Sequence, residues 1–227
     1  MGNYKEVIHY SKTASLDVDA QKGFTPLCPL ELPVPNGDKI VKECNNNAAM
    51  CKYRYMSKDA HSSKSLWIAT PENPQFSEIK GDNINMRWNG HCIVGTYGFE
   101  LLDGLPHPSE YDFIVYKGAE KDMHPYSPVY HDLAKNISTG LIEKAKCDGV
   151  DTFVVGGLAL CSEMTPLCLG EAVIDLSKAG FNVILNMGAT AWLGSEEGKN
   201  KFVEMLINDY RIKVVNSASE VAVELEF

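Results

Sequence analysis

The sequence predicts an α/β fold: a mostly parallel central sheet with helices on both faces, in a Rossmann-like three-layer arrangement. Three observations predict it. Short runs rich in Val, Ile, Leu and aromatic residues alternate with helical stretches. Several of those runs are continuously apolar, as strands buried on both faces are. Gly and Pro mark the joins between them. In a sheet of this kind a ligand site lies beyond the carboxyl ends of the strands.

Residues 1–12 read as a lead-in and 13–227 as a single domain. Thr13 to Asp19 is a short strand ending in an acid, followed by a loop punctuated by Pro26, Pro29, Pro33 and Pro35. A helix is expected from about Asp38 to Cys51 and a strand from about Lys52 to Ser57. Residues 59–110 are irregular and too long for an idle connection, so they are expected to form a metal and substrate loop region. The run from Tyr111 to Tyr116 is a strand, Ser138 opens a helix to Cys147, and Asp151 to Gly156 is a strand again. The next helix runs from Thr165 to Ala179 and stops at Gly180. A strand at Phe181–Leu185, a helix from Ser195 to Tyr210 and a strand from Ile212 to Val215 complete the series.

Composition narrows the function. With 227 residues, 44% of them hydrophobic, the chain can bury a substantial core. A formal charge of −9 argues against a nucleic-acid or anionic-membrane partner. No apolar run approaches the length of a membrane span, and the first residues lack the apolar core of a signal peptide. The 7 cysteines are an odd, scattered set without a CxxC pair, as expected of reduced thiols in a cytoplasmic protein.

Three chemically potent residues fall at strand ends: Asp19, Lys117 and Cys168. An acid, a cation and a thiol converging there make a nucleophilic site. Taken singly, Asp19 reads as a cap and Lys117 as a solvated strand end. Thr165 as N-cap and Pro166 at the first helical position place Cys168 in the third, where free amide hydrogens favour a thiolate and stabilise an oxyanion. The commoner fate of such a cysteine is burial as a small apolar group. Asp59-x-His61 sets two metal ligands on one side of an extended segment, and His91 supplies a third. That donor set suits Zn²⁺ first, with Fe²⁺ or Mn²⁺ close behind, and leaves positions for water and substrate. Isolated histidines of this kind are more often surface loop residues. His9, His107, His124 and His131 carry no such pattern and are assigned no role.

Several motifs, in order, resemble the isochorismatase-like cysteine hydrolases, and within them the nicotinamidases. Val18-Asp-Ala-Gln-Lys-Gly-Phe24 resembles the family's Val-Asp-x-Gln-x-x-Phe opening, and Tyr116-Lys-Gly118 its lysine segment. Trp88-Asn-Gly-His-Cys-Ile-Val-Gly-Thr96 is similar to Trp-Pro-x-His-Cys-Val-x-Gly-Thr, with Asn89 in place of Pro. Lys58-Asp-Ala-His61 resembles the metal motif Arg-Asp-Trp-His, and Tyr126-Ser127 the family's Tyr-Ser. The resemblance implies Asp19 as acid–base, Lys117 as its cation and a cysteine nucleophile. It implies Asp59, His61 and His91 as ligands of a divalent metal that holds a pyridine nitrogen. Phe24, Trp88 and Tyr126 would wall the ring.

One departure bears on the nucleophile. The family reads Gly-Leu-Ala-Thr-Asp-Tyr-Cys, and counting forward from Gly157-Leu-Ala159 reaches Glu163. Counting back from Ala179-Gly180-Phe181 reaches Cys168, making Leu160 to Met164 a five-residue insertion. Cys161 is the competing thiol. Cys168 would give one oxyanion donor, its own amide, and Ala159 or Met164 the second. The family's further downstream metal ligand is missing; Trp67 stands near its place, and Glu72 is the candidate substitute. The expected activity is metal-dependent hydrolysis of nicotinamide to nicotinic acid and ammonia, with a homo-oligomer left open. A metal-independent amidase on another small substrate, or a ligand- or partner-binding member without turnover, are the rival readings.

Overall fold

The computed structural model describes residues 6–224. Its centre is a six-stranded sheet built from β2 (Thr13–Val18), β3 (Tyr53–Asp59), β4 (Phe113–Lys117), β5 (Thr152–Gly157), β8 (Asn182–Thr190) and β9 (Lys213–Val215). The spatial order is β4-β3-β2-β5-β8-β9, and every neighbouring pair is parallel. Burial explains the composition of these strands: β2 and β5 are buried along their whole length, which is why they read as unbroken apolar runs.

Successive side chains point to opposite faces, so each strand feeds two cores. Phe153 and Val155 of β5, with Val183 and Leu185 of β8, pack with the helices α2 (Leu141–Cys147), α3 (Cys168–Lys178) and α4 (Glu196–Tyr210). Val154 and Ile184 face the other way, against Cys51, Ile8 and Val221. The helix α1 (Val41–Ala49) covers that second face through Cys44. The three layers follow.

The ends of several elements differ from the sequence expectation. Glu6–His9, within the expected lead-in, forms a strand β1 paired in parallel with β10 (Val221–Glu224). The first helix begins at Val41, after a separate 3-10 turn at Gly37–Lys39. Strand β3 runs on to Asp59, and β8 continues to Thr190, because both remain hydrogen-bonded to neighbours beyond their apolar runs. Thr165 and Pro166 do not open a helix. They form strand β7, antiparallel to β6 (Cys161–Ser162), and α3 starts at Cys168 with Leu167 as its cap. Ser195 does cap α4, accepting the Gly198 amide at 3.0 Å.

The strand order reverses between β2 and β5. A crevice opens at the carboxyl ends of such a pair because the chain leaves them in opposite directions. Asp19 follows β2, and the segment leading to Cys168 follows β5.

Candidate active site

Asp19 leaves β2 with φ 46°, a left-handed turn that holds its carboxylate over the strand ends. Its amide donates to the Ser57 carbonyl at 3.1 Å, and Ser57 Oγ donates to Asp19 Oδ1 at 2.6 Å. Lys117 closes β4 and is the direct ladder partner of Asp59, so its ammonium contacts Asp59 Oδ1. The same Nζ lies 2.9 Å from Asp19 Oδ2 and 3.6 Å from Cys168 Sγ. Asp19 and Lys117 are fully buried and Cys168 is 8% exposed. The structure thus brings the acid, the cation and the thiol together.

Their charges are set by enclosure. Burial raises the Asp19 carboxyl above its ordinary value, with Lys117 pulling the other way. Burial opposes ionisation of Asp59 too, but Lys117, His61 and His91 outweigh it and hold that carboxyl below the ordinary range. Burial works against the Lys117 charge, yet the two carboxylates keep it protonated. Burial also pushes the Cys168 thiol well up, against the pull of Lys117. The expected thiolate at a helix start is therefore not the resting state. Cys168 rests as a thiol, and the neighbouring raised carboxylate of Asp19 is the base that can take its proton.

Beside this group lie three buried imidazoles, His61, His91 and His124, whose ring nitrogens gather within 4.8 Å of one another. Carbonyl oxygens can only accept, so their partners fix two tautomers. His61 Nδ1–H donates to the Gly118 carbonyl at 2.8 Å, and His91 Nδ1–H to the Asn89 carbonyl at 2.7 Å. Both Nε2 lone pairs are left without a hydrogen-bond partner, as are both ring nitrogens of His124. Asp59 Oδ2 stands 3.3 Å from His61 Nε2 and 3.8 Å from His91 Nε2. Burial, with His61 alongside, pushes the His91 imidazole down to about 3, and burial with both neighbours keeps His124 neutral. Orphaned, converging ring nitrogens on three buried imidazoles next to a carboxylate fit a divalent cation.

His124 was missed by sequence reasoning because it sits alone in a polar loop, with no ligand spacing around it. Its backbone amide is anchored to the Asn83 carbonyl at 2.9 Å. Trp67 holds the rings instead of ligating: its indole packs edge-on against His61 and His124 at 4.6 and 4.5 Å. Glu72, the candidate fourth ligand, is exposed in a bend away from the cluster.

A pocket spanning about 350 Å³, open solvent at its mouth included, joins Cys168 to His91 and His124. Phe24, Trp88 and Tyr126 wall it, Asp59, His91 and His124 lie at its polar side, and Cys168 and Ala159 complete it. Within the described residues the amides of Ala159 and Cys168 donate to no other group, which leaves both free to face an oxyanion. Met164, the other donor considered, is 44% exposed at the hairpin tip. Cys161 is turned into the apolar core, where burial raises its thiol to about 12, and it does not line the pocket.

No family model and no curated relative matches the chain. Solved structures do. A nicotinamidase/pyrazinamidase from Acinetobacter baumanii superposes with a TM-score of 0.79 at 24% identity, over 92% of this chain and 98% of that one. The chain has the isochorismatase-like hydrolase fold. The yeast nicotinamidase bound to the inhibitor nicotinaldehyde matches with a TM-score of 0.73 at 19% identity, over 90% of this chain and 100% of that one. A Pyrococcus horikoshii pyrazinamidase in complex with zinc matches at 0.67 and 24% identity, over 90% and 98%.

Residues 161–164, within the segment the sequence reads as an insertion, form most of the β6–β7 hairpin. Glu163 at its tip accepts from the Ser195 amide and hydroxyl, both at 2.7 Å, and so ties the hairpin to the start of α4. The hairpin closes back on its own start, with Leu167 N–H donating to the Leu160 carbonyl at 3.2 Å just before Cys168 opens α3.

Proposed function

We propose that the chain is a metal-dependent cysteine amidohydrolase that converts nicotinamide to nicotinic acid and ammonia. The observation that carries this reading is the buried Asp19–Lys117–Cys168 group, whose sulfur lines one small pocket beside three buried imidazoles with four orphaned ring nitrogens. The solved nicotinamidases that share the fold support it.

Asp19 takes the proton of Cys168, and the thiolate attacks the carboxamide carbon. The Ala159 and Cys168 amides donate to the tetrahedral oxyanion. Asp19 then hands its proton to the leaving nitrogen, the C–N bond breaks, and ammonia departs from a thioester on Cys168. Asp19 next draws a proton from water, whose oxygen attacks the thioester carbon and releases the acid, while Cys168 recovers its proton. Lys117 keeps the negative charge shared between Asp19 and sulfur compensated throughout. Asp59, His61, His91 and His124 would hold the divalent ion, Zn²⁺ before Fe²⁺ or Mn²⁺, and bound there it would supply a Lewis acid for the pyridine nitrogen. Phe24, Trp88 and Tyr126 hold the ring so that the carboxamide stays over Cys168.

Ammonia release is the test, run on nicotinamide and benzamide with the metal-loaded protein and again after chelation. Rapid release from nicotinamide, slow release from benzamide and loss of the difference on chelation are expected. Full nicotinamide turnover by the chelated protein would instead establish a metal-independent amidase, and no release from any amide a binding protein.

A further inference from the structure

A second groove lies against the aromatic walls of the reaction pocket. Trp88, Tyr126 and Leu167 line this wider groove as well as the pocket. Leu167, the residue before the nucleophile, lies on both linings. The far side of the groove carries Phe76, Met86 and Leu133, and its remaining wall is the insertion hairpin through Ser162, Thr165 and Pro166.

That wall is built to stay in place. Glu163 clips the hairpin tip to Ser195, and Leu193 N–H donates to the Cys161 carbonyl at 2.9 Å. The one carboxylate on the groove, Glu171, is neutralised by Lys135 at 2.7 Å. Most of the remaining surface is apolar or aromatic, which favours an uncharged apolar guest.

We propose that this groove is a substrate subsite for an apolar substituent on the ring of a primary aromatic carboxamide, with the Cys161–Pro166 hairpin as the specificity element. The inference rests on the amidohydrolase reading above and extends it. The substituent must leave from the ring and not from the amide nitrogen. The leaving nitrogen has to meet Asp19, which is fully buried and lines neither pocket nor groove. A group on that nitrogen would face closed protein. A group on the ring, between Trp88 and Tyr126, faces the walls that pocket and groove share.

The experiment compares kcat/KM for ammonia release from nicotinamide, 5-phenylnicotinamide and 6-phenylnicotinamide, with amide cleavage of N-phenylnicotinamide followed in parallel. At least one ring-substituted compound should match or exceed nicotinamide, because a buried phenyl group adds about tenfold or more in binding. N-phenylnicotinamide should not be cleaved. Thr165→Trp, at an exposed position on the groove wall, should lower kcat/KM for that favoured compound at least tenfold relative to nicotinamide. Turnover of nicotinamide alone, or an unchanged ratio in Thr165→Trp, overturns the subsite and leaves the amidohydrolase standing. Turnover of none of the compounds overturns both.

Discussion

The Lys117 ammonium lies 3.6 Å from the Cys168 sulfur, and the two come from the end of β4 and the start of α3. A buried cation at that distance prepares the sulfur for negative charge, while burial keeps the resting thiol protonated. Cys168→Ala should abolish ammonia release and leave the fold intact, since Ala suits the first turn of a helix. Cys161→Ala should retain most activity, at a stability cost of about 1 kcal/mol for the lost core sulfur. Activity is read by ammonia release and folding by urea titration. An exchange of the two outcomes would move the nucleophile to Cys161.

Asp19→Asn keeps the shape but cannot take the thiol proton, so kcat should fall by ~10²–10⁴-fold. The pH profile supplies a sharper check. Only ionised Asp19 is a base, and burial raises its carboxyl, so kcat/KM of the native protein should fall as pH drops through a midpoint above the ordinary carboxylate value of 3.8. Asp19→Asn should lack that limb. A midpoint at or below 3.8 would remove Asp19 as the base.

Lys117→Ala leaves Asp19 and Asp59 facing each other in a dry interior without their shared cation. Removing one partner of buried ion pairs costs roughly 3–5 kcal/mol, so this variant should melt well below the native protein as well as lose turnover. A native melting temperature would show that the ammonium is not what holds the two carboxylates.

Metal content tests the imidazole cluster directly. Elemental analysis of the native protein should find about one divalent ion per chain, held by the imidazole cluster. His61→Ala and His124→Ala should each drop it well below stoichiometry, whereas Glu72→Ala should not change it. Full metal content in His124→Ala would return the site to Asp59, His61 and His91 alone.

Gly118 links the catalytic strand to that cluster. Its φ of 67° disfavours any side chain, its carbonyl fixes the His61 tautomer, and an added Cβ would meet the His61 ring. Gly118→Ala should therefore cost about 1–3 kcal/mol of strain and release the metal. Gly95→Ala is the control: its φ of 84° carries the backbone cost alone, with open space around it, and metal content should survive.

The sequence by itself determined the alternation of strands and helices, and with it the parallel sheet. It also placed Asp19 and Lys117 at strand ends and Cys168 near a helix start, and paired Asp59 with His61. These are local matters, since burial on both faces leaves continuous apolar runs and strand ends need only a change of composition. Tertiary structure decided the rest. Thr165 and Pro166 carry good helix-start chemistry, yet they pair with Cys161 and Ser162, because the chain turns back to Leu160 before α3 begins. His124 joins His61 and His91 across residues that share no spacing rule, through the Asn83 anchor and the Trp67 ring. The state of the Cys168 thiol depends on enclosure by distant chain, which no local pattern records. Contacts between residues far apart in sequence set those three features, and only the folded chain supplies them.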